Sequence, residues 1–93
     1  MRDKLIGKRI AILVENGFEQ VEMTGPREAL DLAGASTDLI SPQTDSVRAV
    51  QHHKPGDEFE VDVTLNEADA DLYDGLLLPG GVANPDALRI ANR

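Results

Sequence analysis

With 93 residues, 41% of them hydrophobic and 3% aromatic, the chain can fill one small core and is short for a complete doubly wound α/β fold. A formal charge of -8, with no local basic patch, repels phosphate backbones and argues against nucleic-acid binding by bulk charge. Cysteine is absent, which excludes disulfides, thiolate metal sites and a cysteine nucleophile within these residues. The charged start Met1-Arg2-Asp3-Lys4 lacks a signal-peptide core and no stretch approaches the ~18 apolar residues of a membrane span, so a soluble, cytoplasmic protein with no membrane partner is expected.

The first element follows Lys8-Arg9. Ile10-Ala11-Ile12-Leu13-Val14 is a continuous apolar run, the pattern of a strand covered on both faces, and Glu15-Asn16-Gly17 closes it as a loop. Phe18 to Met23 suits a helical turn on which Glu19 and Glu22, three apart, share a face. Pro26 fits a first helical position, and the helix it opens carries Ala29, Leu30 and Ala33 on its apolar side and stops at Gly34. Strand, loop and helix make the first half of a βαβ unit. Thr37-Asp38-Leu39-Ile40 reads as a second short strand, ended by Ser41-Pro42.

Residues 43–57 are polar and turn-rich, with room for a short strand at 47–51. His52 and His53, near Asp57, are metal-ligating types, but adjacent histidines in a polar stretch are most simply loop, and no metal is expected. Phe59-Glu60-Val61-Asp62-Val63-Thr64-Leu65 alternates apolar and polar at period 2, which predicts a strand with one wet face, in a hairpin or at a sheet edge. Asn66 is a suitable N-cap for a turn through residue 70.

Gly75-Leu76-Leu77-Leu78 then returns to an unbroken apolar run, predicting a central buried strand that stops at Pro79-Gly80-Gly81. Pro79 cannot donate to a ladder, and the two glycines leave their backbone N–H groups free of side chains. A bare loop therefore stands at the carboxyl end of a buried strand, where open α/β sheets place their ligands. Asn84-Pro85-Asp86 combines a cap, a proline and a first-turn acid as a helix start, and the absence of a stop signal before Arg93 suggests a chain cut inside or just after that helix.

The segments Lys8-Arg9-Ile10-Ala11-Ile12-Leu13, Gly17-Phe18-Glu19-Gln20-Val21-Glu22, Pro26, Phe59-Glu60-Val61-Asp62 and Leu77-Leu78-Pro79-Gly80-Gly81-Val82-Ala83-Asn84-Pro85-Asp86-Ala87-Leu88-Arg89 together resemble the amino-terminal half of the ThiJ/PfpI family, particularly its bacterial general-stress and PfpI-type members. Each piece is a weak signal, but F-E-x-V-E followed by L-P-G-G is fairly specific in combination. The resemblance implies a flavodoxin-like α/β domain, of the class I glutamine amidotransferase-like type, with a mostly parallel sheet and flanking helices. Residues 1–93 would form a single partial domain, its amino-terminal half.

It also implies a cysteine nucleophile on a strained elbow after the next strand, a glutamate from the first strand-helix loop against that sulfur, and a glycine N–H in the oxyanion hole. Glu22 stands at the glutamate's position, Gly81 at the oxyanion glycine's, and Gly80 shapes the loop. Burial and a neighbouring thiolate would keep such a glutamate protonated, able to donate a hydrogen bond to sulfur, and Glu19 would push the same way. Family members have been assigned protease, glyoxalase and protein or nucleotide deglycase activities, and many are dimers or larger. A homo-oligomer, a small carbonyl or glycated substrate and no cofactor are thus expected of the complete protein. The nucleophile's segment would lie beyond Arg93, so the 93 residues alone are expected to be catalytically silent. One rival is a non-catalytic flavodoxin-like binding or assembly module. Another is a phosphate binder using the glycine loop as an anion nest, disfavoured by the lack of G-x-G-x-x-G or a lysine-bearing phosphate loop.

Overall fold

The computed structural model describes residues 4–79, so Gly80, Gly81 and the helix start at Asn84-Pro85-Asp86 lie outside the described residues. In chain order the elements are β1 (Arg9–Leu13), α1 (Gln20–Leu32), β2 (Ser36–Ser41), β3 (Ser46–Gln51), β4 (Lys54–Glu60), β5 (Val63–Thr64), a 3₁₀ turn (Ala70–Leu72) and β6 (Gly75–Leu77). β5, β2, β1 and β6 form a four-stranded parallel sheet in that order, and β3 and β4 form a separate antiparallel hairpin.

The unbroken apolar run of the first strand is explained by its place. β1 has β2 on one side, with Leu13 opposite Ile40, and β6 on the other, with Ile12 opposite Leu77. Its side chains serve two cores: Ile12 and Val14 join Phe18, Met23 and Leu39 under α1 and the hairpin, while Ala11 and Leu13 join Ile40 on the opposite face. Among the described residues it is therefore β1 that is central. The run at Leu76 to Leu78, expected in the middle, forms one end of the described sheet and is only half-buried.

At the amino edge of the sheet a polar latch holds three strands together. The Tyr73 hydroxyl donates to Asp38 Oδ2 at 2.7 Å, Arg9 pairs with the same oxygen at 3.0 Å, and the guanidinium lies 5.0 Å from the Tyr73 ring centroid. The Arg9 and Asp74 backbones close the entry to β6, with Asp74 N donating to the Arg9 carbonyl at 2.7 Å and Arg9 N to Asp74 Oδ2 at 2.9 Å. Burial first, and then the hydrogen bond and charge of Asp38, push the Tyr73 phenol up to about 12 against a partial opposing pull from Arg9. Tyr73 is thus a fixed donor and not a base.

The helix departs from expectation at its start. Pro26 does not open it but lies inside a single helix from Gln20 to Leu32. Tertiary burial overrides the local signal, because Met23 in the first turn is fully buried against β1 and anchors that turn to the core. The ring is tolerated partly because Gly25 before it has no Cβ for the proline to meet, although the carbonyl of Glu22 loses its i+4 N–H partner. The inward positions are Met23, Arg27 and Leu30, while Ala29, placed on the apolar side from sequence, is exposed. Gly34 does stop the helix: its φ is +96°, Ala35 N donates to the Leu30 carbonyl and Gly34 N to that of Asp31, both at 3.0 Å. A Cβ there would stand 2.7 Å from Ile6 Cγ1.

The alternating stretch from Phe59 to Leu65 is not one strand but two, divided at Asp62. Phe59 belongs to the hairpin, which ends at Glu60, and its ring centroid lies 5.9 Å from that of Phe18, while Val63 pairs with Ile40 at the sheet edge. Asp62 makes the transition by replacing a ladder residue with its side chain: Oδ2 accepts from Leu39 N at 2.7 Å and from Arg27 at 3.4 Å, while Asp62 N donates to the Leu39 carbonyl at 2.8 Å. Asn66 does not cap the following turn. The 3₁₀ turn is capped instead by Asp69, whose carboxylate accepts from Asp71 N at 3.0 Å. His52 and His53 form the tip of the hairpin, both with positive φ (+52° and +72°), in the left-handed pair that a two-residue loop of matching twist requires. Among the described residues no group of three or more histidines and acids is arranged to hold a metal ion.

Candidate functional site

In this sheet the connection after β1 leaves through α1 toward β2, away from β6. Open parallel sheets place ligands outside the carboxyl ends of the strands at such a switch point, and here β1 and β6 end side by side in parallel. Two stretches leave these ends: the loop from Glu15 into α1, and Leu78-Pro79 leading on to the glycines.

The first stretch is held rigidly. Glu15 Oε1 accepts from Asn16 N at 2.8 Å and from Gln43 Nε2 at 2.9 Å. Asn16 Oδ1 accepts from Arg48 N, and Gly17 N donates to the Arg48 carbonyl, both at 2.9 Å. Gly17 adopts φ +92°, which lets the chain turn there into Phe18. Glu22 follows in the first turn of α1. It is exposed, and its backbone N–H bonds the Glu19 carbonyl at 3.2 Å.

Glu19 behaves differently from expectation. It does not share a helical face with Glu22 but sits at the cap position, and its carboxylate accepts from His52 N at 3.1 Å. Its charge is turned to the hairpin tip. Gln20, unremarked in the sequence, is the most heavily bonded side chain here: Oε1 accepts from Asp57 N at 2.8 Å and from Gln51 Nε2 at 2.9 Å, and Nε2 donates to Asp57 Oδ2 at 2.9 Å. Local pattern gives no hint of it, because every partner lies more than thirty residues away in the chain.

A cleft of about 790 Å³ lies elsewhere, on the face of the sheet opposite α1, lined by Ala11, Leu13, Ile40, Leu65, Tyr73 and Leu76. Its aliphatic side chains share the lining with Asn66, Asp69, Asp71 and Asp74, and neither Glu22 nor Pro79 lines it.

The model of the DJ-1/PfpI family matches residues 8–93. The chain belongs to the DJ-1/PfpI family. Among similar proteins, uncharacterized protein SH1084 of Staphylococcus haemolyticus is 43% identical over 82 residues, covering 88% of this chain and 45% of that protein. Uncharacterized protein SAV1875 of Staphylococcus aureus is 42% identical over 82 residues, with 88% and 46% covered. The chain thus spans about half the length of the curated relatives it matches. Of solved structures, a cysteine-to-alanine mutant of DJ-1 superfamily protein STM1931 from Salmonella typhimurium superposes with a TM-score of 0.70 at 26% identity, over 92% of this chain and 49% of that one. A two-domain protein from Anabaena variabilis with DJ-1/ThiJ/PfpI-like and ferritin-like domains gives 0.71 at 25% identity, over 91% and 26%. The flavodoxin-like fold of the family, of which the described residues form part, is accordingly the fold of this chain. No helix among the described residues is long and apolar enough to cross a membrane.

Proposed function

We propose that residues 1–93 are the amino-terminal part of a cysteine-dependent DJ-1/PfpI domain and supply the acid and the oxyanion loop of its active site. Glu22 is the proton carrier beside the sulfur, the Gly81 N–H receives the developing oxyanion, and Gly80 shapes the approach. One observation carries the reading: the loop that delivers Glu22 and the strand that leads to Pro79-Gly80-Gly81 leave adjacent parallel strands at the same edge of the sheet. The existence of a cysteine-to-alanine mutant of the Salmonella neighbour is in keeping with a cysteine of interest in that protein.

The chemistry is thiolate addition to a small carbonyl or to a glycated adduct. Sulfur bonds to the carbonyl carbon, the carbonyl oxygen takes the electron pair against the glycine N–H, and the Glu22 carboxyl hydrogen-bonds the sulfur in its anionic state. A donor of the oxyanion kind contributes roughly 3 to 4 kcal/mol to the barrier in other acyl-transfer enzymes. The working protein is a cytoplasmic, stress-related homo-oligomer in which the remaining half of the domain brings the sulfur.

Consumption of methylglyoxal tests this directly. The full gene product is expected to turn over methylglyoxal or a glycated amine, Glu22→Ala in it to lose most of that activity, and the isolated 93 residues to show none. Turnover by the isolated chain, or a full gene product with no cysteine in the segment after Arg93, overturns the proposal.

A further inference from the structure

The amino terminus of α1 lacks the device that usually fixes such an end, since Glu19 at the cap position makes no side-chain bond to the helix. Besides the buried Met23 beneath this turn, bonds from outside the helix hold it. Residues 16–19 run beside β3 as a short added strand: Val50 N donates to the Phe18 carbonyl at 2.8 Å, Gly17 N to that of Arg48 at 2.9 Å, and Glu19 bridges Val50 in parallel sense. Glu19 then takes the His52 N–H at the hairpin tip. Gln20, the first helical residue, bonds β3 through Gln51 and β4 through both the N–H and the carboxylate of Asp57. Gly56 makes room for it, because a Cβ there would stand 2.6 Å from Gln20 Oε1 and 3.1 Å from the Ala49 carbonyl.

We propose that the β3–β4 hairpin is a splint for the first turn of α1, and that Gln20 is the positioning residue that holds the turn carrying Glu22 beyond the carboxyl end of β1. The proposal rests on the role given to Glu22 above. Gln20 and Glu22 belong to the same helical turn, so a shift of one moves the other, and on an uncapped end the bonds of Gln20 add to the anchor that buried Met23 provides. Glutamine is the side chain that fits. It must accept from two donors and donate to a carboxylate at once, whereas glutamate would set an oxygen against Asp57 Oδ2 and asparagine is one carbon shorter.

The test is the pH profile of thiol alkylation by iodoacetamide in the full gene product, which reads the hydrogen bond to sulfur and not the stability of the fold. Glu22→Ala is expected to raise the midpoint by about 1 pH unit, since a donor to the thiolate is lost. Gln20→Ala should raise it in the same direction by a fraction of that, and Asp57→Ala, which removes only one of the three bonds, by less. Val63→Ala at the far edge of the sheet, which lowers stability, should leave the midpoint in place. If Glu22→Ala moves the midpoint and Gln20→Ala and Asp57→Ala do not, the splint is overturned while the Glu22 assignment stands. If Glu22→Ala itself is silent, both fall. Should Gln20→Ala fail to fold, the Asp57→Ala result decides.

Discussion

Asp62 is the residue whose removal best tests the account of the sheet. It is exposed, lies in a gap between two strands, and would pass as an ordinary surface acid, yet it is the acceptor for the N–H of Leu39, a residue with no exposed surface. Asp62→Ala leaves that buried donor unpaired, at a cost of about 1 to 3 kcal/mol. Loss of the Arg27 pair, at 3.4 Å with its side chains 28% and 38% exposed, adds less than ~1 kcal/mol after solvent screening. The total is about 1 to 4 kcal/mol, most of it from the uncharged part of the interaction. Urea unfolding of the protein measures it, and two controls isolate the cause. Asp62→Asn keeps an oxygen for Leu39 N and should lose no more than ~1 kcal/mol. High salt should change the Asp62→Ala difference little, because screening acts on the ion pair and not on the stranded N–H. Faster hydrogen exchange at Leu39 should accompany the loss. An Asp62→Ala protein within ~0.5 kcal/mol of the parent, or an unchanged Leu39 exchange rate, would refute the reasoning.

Three further outcomes are expected. Met23→Ala empties the space beneath the first helical turn and should cost about 2 to 5 kcal/mol by urea unfolding, more than any change at exposed Ala29. The Tyr73 phenol has its folded pKa raised from 10.0 to about 12, so its protonated form is favoured by folding; its contribution is fully present below pH 10 and is lost as pH rises through about 12. Tyr73→Phe should therefore flatten that alkaline decline, as seen by far-UV circular dichroism between these limits. Replacing the hairpin tip by His52→Asn with His53→Gly relieves two left-handed non-glycine residues and should stabilise the protein by about 1 kcal/mol, read by the same denaturation assay.

Legibility in the sequence followed the range of the forces involved. The run at Ile10 to Val14 announces a strand because a strand covered on both faces must be apolar throughout, and the left-handed stop at Gly34 is a property of glycine itself. The start of α1 is hidden from the local sequence for the converse reason. Proline at residue 26 is a local signal, and the burial of Met23 against a strand formed elsewhere outweighs it. The break at Asp62 is invisible to a period-2 pattern, since alternation persists on both sides and only the Leu39 N–H, 23 residues away, makes it a junction. For the site, Glu22 was marked by the family likeness and not by any pattern of its own. The bonds from Gln20 to the hairpin have no sequence signal, because they join segments that the sequence keeps apart.

The latch between Arg9 and Asp74 joins residues 65 positions apart, and closing so long a loop costs roughly 4 kcal/mol of chain entropy before any pairing offsets it. The hairpin, by contrast, closes across two residues. During synthesis it can assemble and seat the helix early, while one edge of β1 stays open until β6 emerges from the ribosome. β6 is thus the last strand of the described sheet to be added, and a nascent chain stalled before Gly75 leaves that side of β1 unpaired.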